Sequence, residues 1–148
     1  MSQSNAFVEV FIATHQEALQ RAKALSGGAA PDGSALRIPG ISDFEVEQLC
    51  SLAAQAVHTQ GEQELEMADI AVDELYAFPA SAVRVLEELP GYQSDGDDPA
   101  LQSVAVQWAA DEDVPFAAGE AQQYLLALSA LAGRTDSSSR NRLYLYSA

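Results

Sequence analysis

The first clear hydrophobic pattern is an alternation. In Phe7–Ala13 (FVEVFIA), Val8, Val10 and Ile12 fall on one side and Phe7, Glu9 and Phe11 on the other. Successive side chains of an extended chain point to opposite faces, and β-branched and aromatic residues suit that geometry. The segment is expected to be a strand buried on at least one face. The period then changes. Thr14-His15-Gln16-Glu17 has the form of a capping box, in which the threonine accepts from an early helical N–H and the glutamate reaches back. Ala18, Leu19, Ala22 and Leu25 follow at helical spacing, and Gly27-Gly28 supplies a C-terminal stop.

The alternation of signals continues along the chain. Pro31-Asp32-Gly33 marks a turn. Ala35–Ile38 reads as a short strand ended by Pro39-Gly40. Ser42-Asp43-Phe44-Glu45 is a second capping box, and Phe44, Leu49, Leu52, Ala53 and Ala56 form an apolar stripe through Val57. The acidic stretch from Glu62 reads as helix or loop, and Ile70–Phe78 as containing a strand that ends before Pro79. A helix over Ala80–Leu89 turns Val83, Leu86 and Leu89 inward and is broken by Pro90-Gly91. Asp98-Pro99 reads as N-cap and first residue of a helix carrying Leu101, Val104, Ala105 and Trp108. Asp111–Pro115 interrupts it. A longer helix over Ala118–Leu131 is expected to stop at Gly133, and Leu143–Tyr146 is a closing strand.

The expected order is β-α-β-α-(β)-α-α-α-β. It implies an α+β or α/β fold, with a small sheet of three to four strands packed by four to five helices. No linker divides the chain, so residues 1–148 are expected to form one domain. Parallel and antiparallel pairing both remain open.

Charge changes this picture more than composition does. There are 22 acidic and 7 basic residues, for a formal net charge of −15. Between Ile38 and Gly133 the sole cation is Arg84, against 18 carboxylates. Glu62, Glu64, Glu66, Asp69, Asp73 and Glu74 form one run, and Asp95, Asp97 and Asp98 a second group. Asp111, Glu112 and Asp113 form a third. Such a balance keeps a protein soluble and speeds encounter with cations. It excludes direct binding to nucleic-acid phosphates and attraction to an anionic membrane surface. The bland reading of these groups is solvated surface in an acidic proteome, and a single lysine, Lys23, with many alanines also suits an Arg- and Ala-rich, high-GC genome.

Candidate chemistry adds little. No phosphate-cradling glycine loop is present, and Gly27-Gly28 follows a helix rather than opening one. His15 and His58 sit in no metal-binding frame, and both read as surface residues at helix ends. Asp95-Gly96-Asp97-Asp98 begins like a calcium loop but places Ala100 where glycine is required. Cys50, the single cysteine, falls on or beside an apolar helix face and reads as a buried structural thiol. Trp108, Tyr144 and Tyr146 read as core and sheet residues. No catalytic residue, cofactor or metal is expected. With one cysteine, no intrachain disulfide can form. The opening MSQSNAFVEVFIATHQ lacks the charged and apolar regions of a signal peptide, and no apolar run approaches about 20 residues. A cytoplasmic location is the expectation.

Trp108-Ala109-Ala110 with Glu112 two residues on, the helix bearing Leu125, Leu128 and Leu131, and the closing Leu143-Tyr144-Leu145-Tyr146-Ser147 carry a resemblance. They resemble a family of small uncharacterised bacterial proteins with a W-A-A-x-E helix end and an L-Y-L-W-x-S final strand. Phe78-Pro79 and the helix to Leu89 extend it to about half the chain. Tyr146 stands where the family has tryptophan. These motifs are structural and imply no site residues.

The functional expectation is a non-enzymatic, protein-binding role. In its sharpest form this is an immunity or inhibitor-type protein whose carboxylates meet the lysines and arginines of a basic partner. The contacts expected are Glu62, Glu64, Glu66, Asp69, Asp73 and Glu74, then Asp95, Asp97 and Asp98. Two alternatives stay open: an enzyme or small-ligand protein with a site assembled from dispersed residues, and a DNA mimic. A homodimer through an exposed edge strand at either terminus is a further expectation.

Overall fold

Both faces of the FVEVFIA strand are buried, more than its alternation required. In the computed structural model, residues 7–28, 35–57, 64–69, 72–92, 100–135 and 141–147 are described. Among them are five strands, β1 (Phe7–Ala13), β2 (Leu36–Pro39), β3 (Glu66–Asp69), β4 (Val72–Ala77) and β5 (Arg142–Ser147). The α-helices are α1 (His15–Ser26), α2 (Asp43–Ala56), α3 (Ala80–Glu88), α4 (Ala100–Ala109) and α5 (Ala118–Arg134), with a 3-10 turn at Leu89–Gly91. The strands form one sheet in the order β2-β1-β5-β4-β3, with every pair antiparallel, so the two terminal strands, β1 and β5, lie inside the sheet and neither is the exposed edge expected to pair two copies. The fold is α+β, and the sheet has five strands where three or four were expected.

The additional strand is β3, in the acidic stretch read as helix or loop. Its sequence, EMAD, holds no β-branched or aromatic residue. Pairing with β4, Glu66 opposite Ala77 and Met67 opposite Tyr76, decides its conformation against its propensity. The register shifts between Met67 and Asp69, a bulge-type irregularity.

The sheet separates two apolar layers. On one side Val8, Val10, Ile38, Leu143 and Leu145 meet α2–α5 through residues such as Leu49, Leu86, Trp108, Leu125 and Leu128. Among the described residues, α1 is the helix that covers the other side. Its Ala18, Ala22 and Leu25, spaced to share one helix face, cover Phe11, Leu75, Ala77, Tyr144 and Tyr146. The alanines let the helix approach the aromatic rings. Phe11 and Tyr144, register partners on β1 and β5, stack with centroids 6.1 Å apart.

Local signals account for the helix starts. Both capping boxes form: the Thr14 N–H donates to Glu17 Oε1 at 3.0 Å, and the Ser42 N–H to Glu45 Oε1 at 2.8 Å. Two expectations need correction. Phe44 is 72% exposed. Five residues separate it from Leu49, a rotation of about 140° at 100° per residue, so it lies off the buried face of Val46, Leu49, Cys50 and Ala53. Gly133 does not stop α5, which continues to Arg134. Glycine weakens a helix by about 1 kcal/mol but does not forbid it. The end is marked instead by Thr135, whose N–H and hydroxyl both donate to the Ala132 carbonyl. The proposed cap at Asp98-Pro99 lies outside the described residues.

The helical layer is pinned at Trp108. Its indole N–H donates to the Glu45 carbonyl at 2.9 Å, tying α4 to the first turn of α2. Phe116 packs edge-on to both Trp108 and Tyr124, at 5.2 and 4.9 Å.

Candidate functional site

Four of the carboxylates singled out by charge are carried on one hairpin. Glu66 and Asp69 stand on β3 and Glu74 on β4, with Glu64 just before β3. Glu64, Glu66 and Glu74 are exposed, and Asp69 is half-buried. Asp73 also belongs to β4. Glu62, Asp95, Asp97 and Asp98 lie outside the described residues, as does His58. Since β3 ends the sheet, the hairpin sets these carboxylates at its margin. Met67, 57% exposed, stands among them.

The chain partly answers this charge itself. Arg142 on β5 reaches Glu66 at 3.3 Å and also donates to the Phe78 carbonyl at 3.2 Å. Both partners of the ion pair are about half exposed, so it is worth no more than about 1 kcal/mol. His15 Nε2, in the first turn of α1, lies 3.4 Å from Asp69 Oδ2 and forms an ion pair when protonated. Glu74 acts on the sheet face as well. Burial raises the Tyr146 phenol above its ordinary value, and the Glu74 charge adds to that.

Between the hairpin and α1 runs an open cleft of about 520 Å³. Leu19, Ala22 and Val72 supply apolar lining, and Lys23, Asp69 and Glu74 supply charge. This volume lies within the range typical of small-ligand sites, about 300–1,000 Å³. Its arrangement, an apolar strip between two carboxylates and one ammonium, suits an extended amphipathic group.

Sequence reasoning placed Glu9 on a strand face but missed its role. Its side chain is fully buried and holds Arg21 of α1 through two bonds, to Nε at 2.7 Å and Nη2 at 2.9 Å. Arg37 of β2 adds a third at 3.2 Å and lies over the Phe7 ring, 4.1 Å from its centroid. A lone acid inside an apolar strand, with an arginine in the following helix, was the available signal. The cluster clamps α1 to the sheet through three bonds from two guanidinium groups to one side chain.

The remaining chemistry is structural. Cys50 is buried; burial, with a smaller contribution from the Glu47 charge, pushes its thiol up to about 12. Among the described residues no group of three or more His, Cys, Asp or Glu could hold a metal ion. No described helix is long and apolar enough to cross a membrane. Other exposed carboxylates sit elsewhere: Glu87 and Glu88 at the end of α3, Glu112 and Asp113 between α4 and α5, and Glu120 in α5. The charge is therefore not confined to the hairpin. What distinguishes the hairpin is that its carboxylates adjoin a cleft and a sheet edge. Comparison with protein families, curated proteins and solved structures returns no match, and so adds neither a family nor a function.

Proposed function

We propose that this chain is a non-enzymatic binding protein of the immunity or inhibitor type, which uses the acidic margin formed by the β3–β4 hairpin to engage a basic protein. The observation that carries this reading is the placement of Glu64, Glu66, Asp69 and Glu74 around an exposed edge strand and an apolar-lined cleft. Charge of one sign at a docking margin steers an oppositely charged partner and disfavours others. The net charge of −15 acts in the same direction at longer range.

The test is direct. The protein is mixed at low ionic strength with the basic proteins of its own source cell, and complexes are separated by size exclusion and identified. The best-defined complex is then measured with a variant in which Glu64, Glu66 and Glu74 become Gln and Asp69 becomes Asn. A fall in association rate and affinity of at least about tenfold, with a flatter salt dependence, is expected. Equal binding by the variant would refute the assignment of this margin.

A further inference from the structure

We infer that the edge of β3 away from β4 accepts an extended basic segment of the partner as a further strand, and that one lysine or arginine of that segment lies in the cleft beside α1. This rests on the reading of the chain as a binder of a basic protein, and it adds the mode of docking.

The backbone supplies the first half. β3 is hydrogen-bonded to β4 on one side, and no described strand lies on the other. An edge strand presents a row of backbone donors and acceptors to any chain that can lie alongside it. The opposite edge, β2, is less receptive. It ends in Pro39, which has no N–H, and α5 packs against it.

The side chains supply the second half. A strand added to β3 would project alternate residues to the α1 side of the sheet, where the cleft lies. The methylene stem of a lysine or arginine suits Leu19, Ala22 and Val72, and its charged head suits Asp69 and Glu74. The same carboxylates select the occupant. A second copy of this chain pairing through β3 would set Glu66 and Asp69 against their own kind, and like charges directly opposite are destabilising. The acidic side chains thus disfavour self-pairing at this edge while leaving it open to a basic strand. Lys23 lines the cleft too, and its ammonium opposes an incoming cation. That fixes a sign: removing the Lys23 charge must strengthen binding.

The probe is a short end-blocked peptide of alternating lysine and valine, titrated into isotope-labelled full-length protein and followed by amide NMR at low ionic strength. It is compared with peptides in which proline replaces valine and in which glutamate replaces lysine. The lysine–valine peptide is expected to shift the amides of Glu66–Asp69 and of Ala22 and Lys23. The proline peptide keeps the charge but loses half of its backbone N–H donors and has φ fixed at every proline, so it should bind at least about tenfold more weakly. Lys23→Met should tighten binding about threefold, and Asp69→Asn with Glu74→Gln should weaken it about tenfold. Equal binding of the proline and valine peptides overturns strand addition while leaving the basic-partner reading intact. Weaker binding by Lys23→Met overturns the cation in the cleft. Failure of both basic peptides to bind overturns the inference and the reading beneath it. Because Lys23 is a surface residue near the end of α1, that variant keeps the test informative should the hairpin variant fail to fold.

Discussion

Removing Arg21 should destabilise the protein far more than its position on a helix surface implies. Arg21→Met keeps most of the methylene stem but deletes both bonds to Glu9, at 2.7 and 2.9 Å. Glu9 is completely buried, whereas Arg21 and Arg37 are 21% and 24% exposed. The substitution leaves a buried carboxylate facing one remaining arginine at 3.2 Å. Stripping a partner from a buried ion pair costs about 3–5 kcal/mol. With Arg37 still in place, the lower end, about 3 kcal/mol, applies. For a chain of 148 residues that corresponds to a fall in Tm of about 6–12 °C. The comparison that isolates the mechanism is Glu9→Leu with Arg21→Met. Apolar replacement of a buried pair is often close to neutral, and Arg37 retains solvent access and its seat on Phe7. The double variant should therefore lie within about 1 kcal/mol of the parent, less than the single one. Urea unfolding followed by far-UV circular dichroism, with unchanged m-value, measures all three. A loss below about 1 kcal/mol for Arg21→Met, or a double variant as unstable as the single, would refute the clamp.

Further outcomes follow from other parts of the fold. Gly40→Ala should lose about 2 kcal/mol in urea unfolding, because a side chain is strained at this positive φ and its Cβ would come within 2.7 Å of Pro115 Cγ. Cys50 should resist iodoacetamide at pH 8 in the native protein and react once unfolded, since burial and then Glu47 hold the thiol up to about 12; rapid native labelling would contradict its burial. Glu17 titrates below its ordinary value because it accepts from the Thr14 N–H and, secondarily, interacts with the Thr14 hydroxyl. Its capping contribution is therefore complete above the free value of 4.5 and is lost as pH falls through the lowered one. Glu17→Gln should flatten that acid limb of a stability–pH profile. Phe44→Ser, at a position 72% exposed, should change stability by no more than about 0.5 kcal/mol.

Where the signals were local, they were legible in the chain itself. The capping boxes at Thr14 and Ser42, the alternation of Phe7–Ala13 and the helical stripe of Leu125, Leu128 and Leu131 each report interactions within a few residues, so one segment of sequence contains both partners. The charge excess was equally readable, because it needs only a count. Tertiary structure alone decided what depends on distant partners. β3 is a strand because β4 lies beside it, not because EMAD favours one. Glu9 is buried because Arg21 and Arg37, 12 and 28 residues away, arrive to neutralise it. The cleft exists because α1 crosses the sheet face next to a hairpin some fifty residues downstream. Desolvation, ion pairing and strand pairing set their free energies by proximity in space, and proximity between remote residues is fixed only when the whole chain has closed on its core.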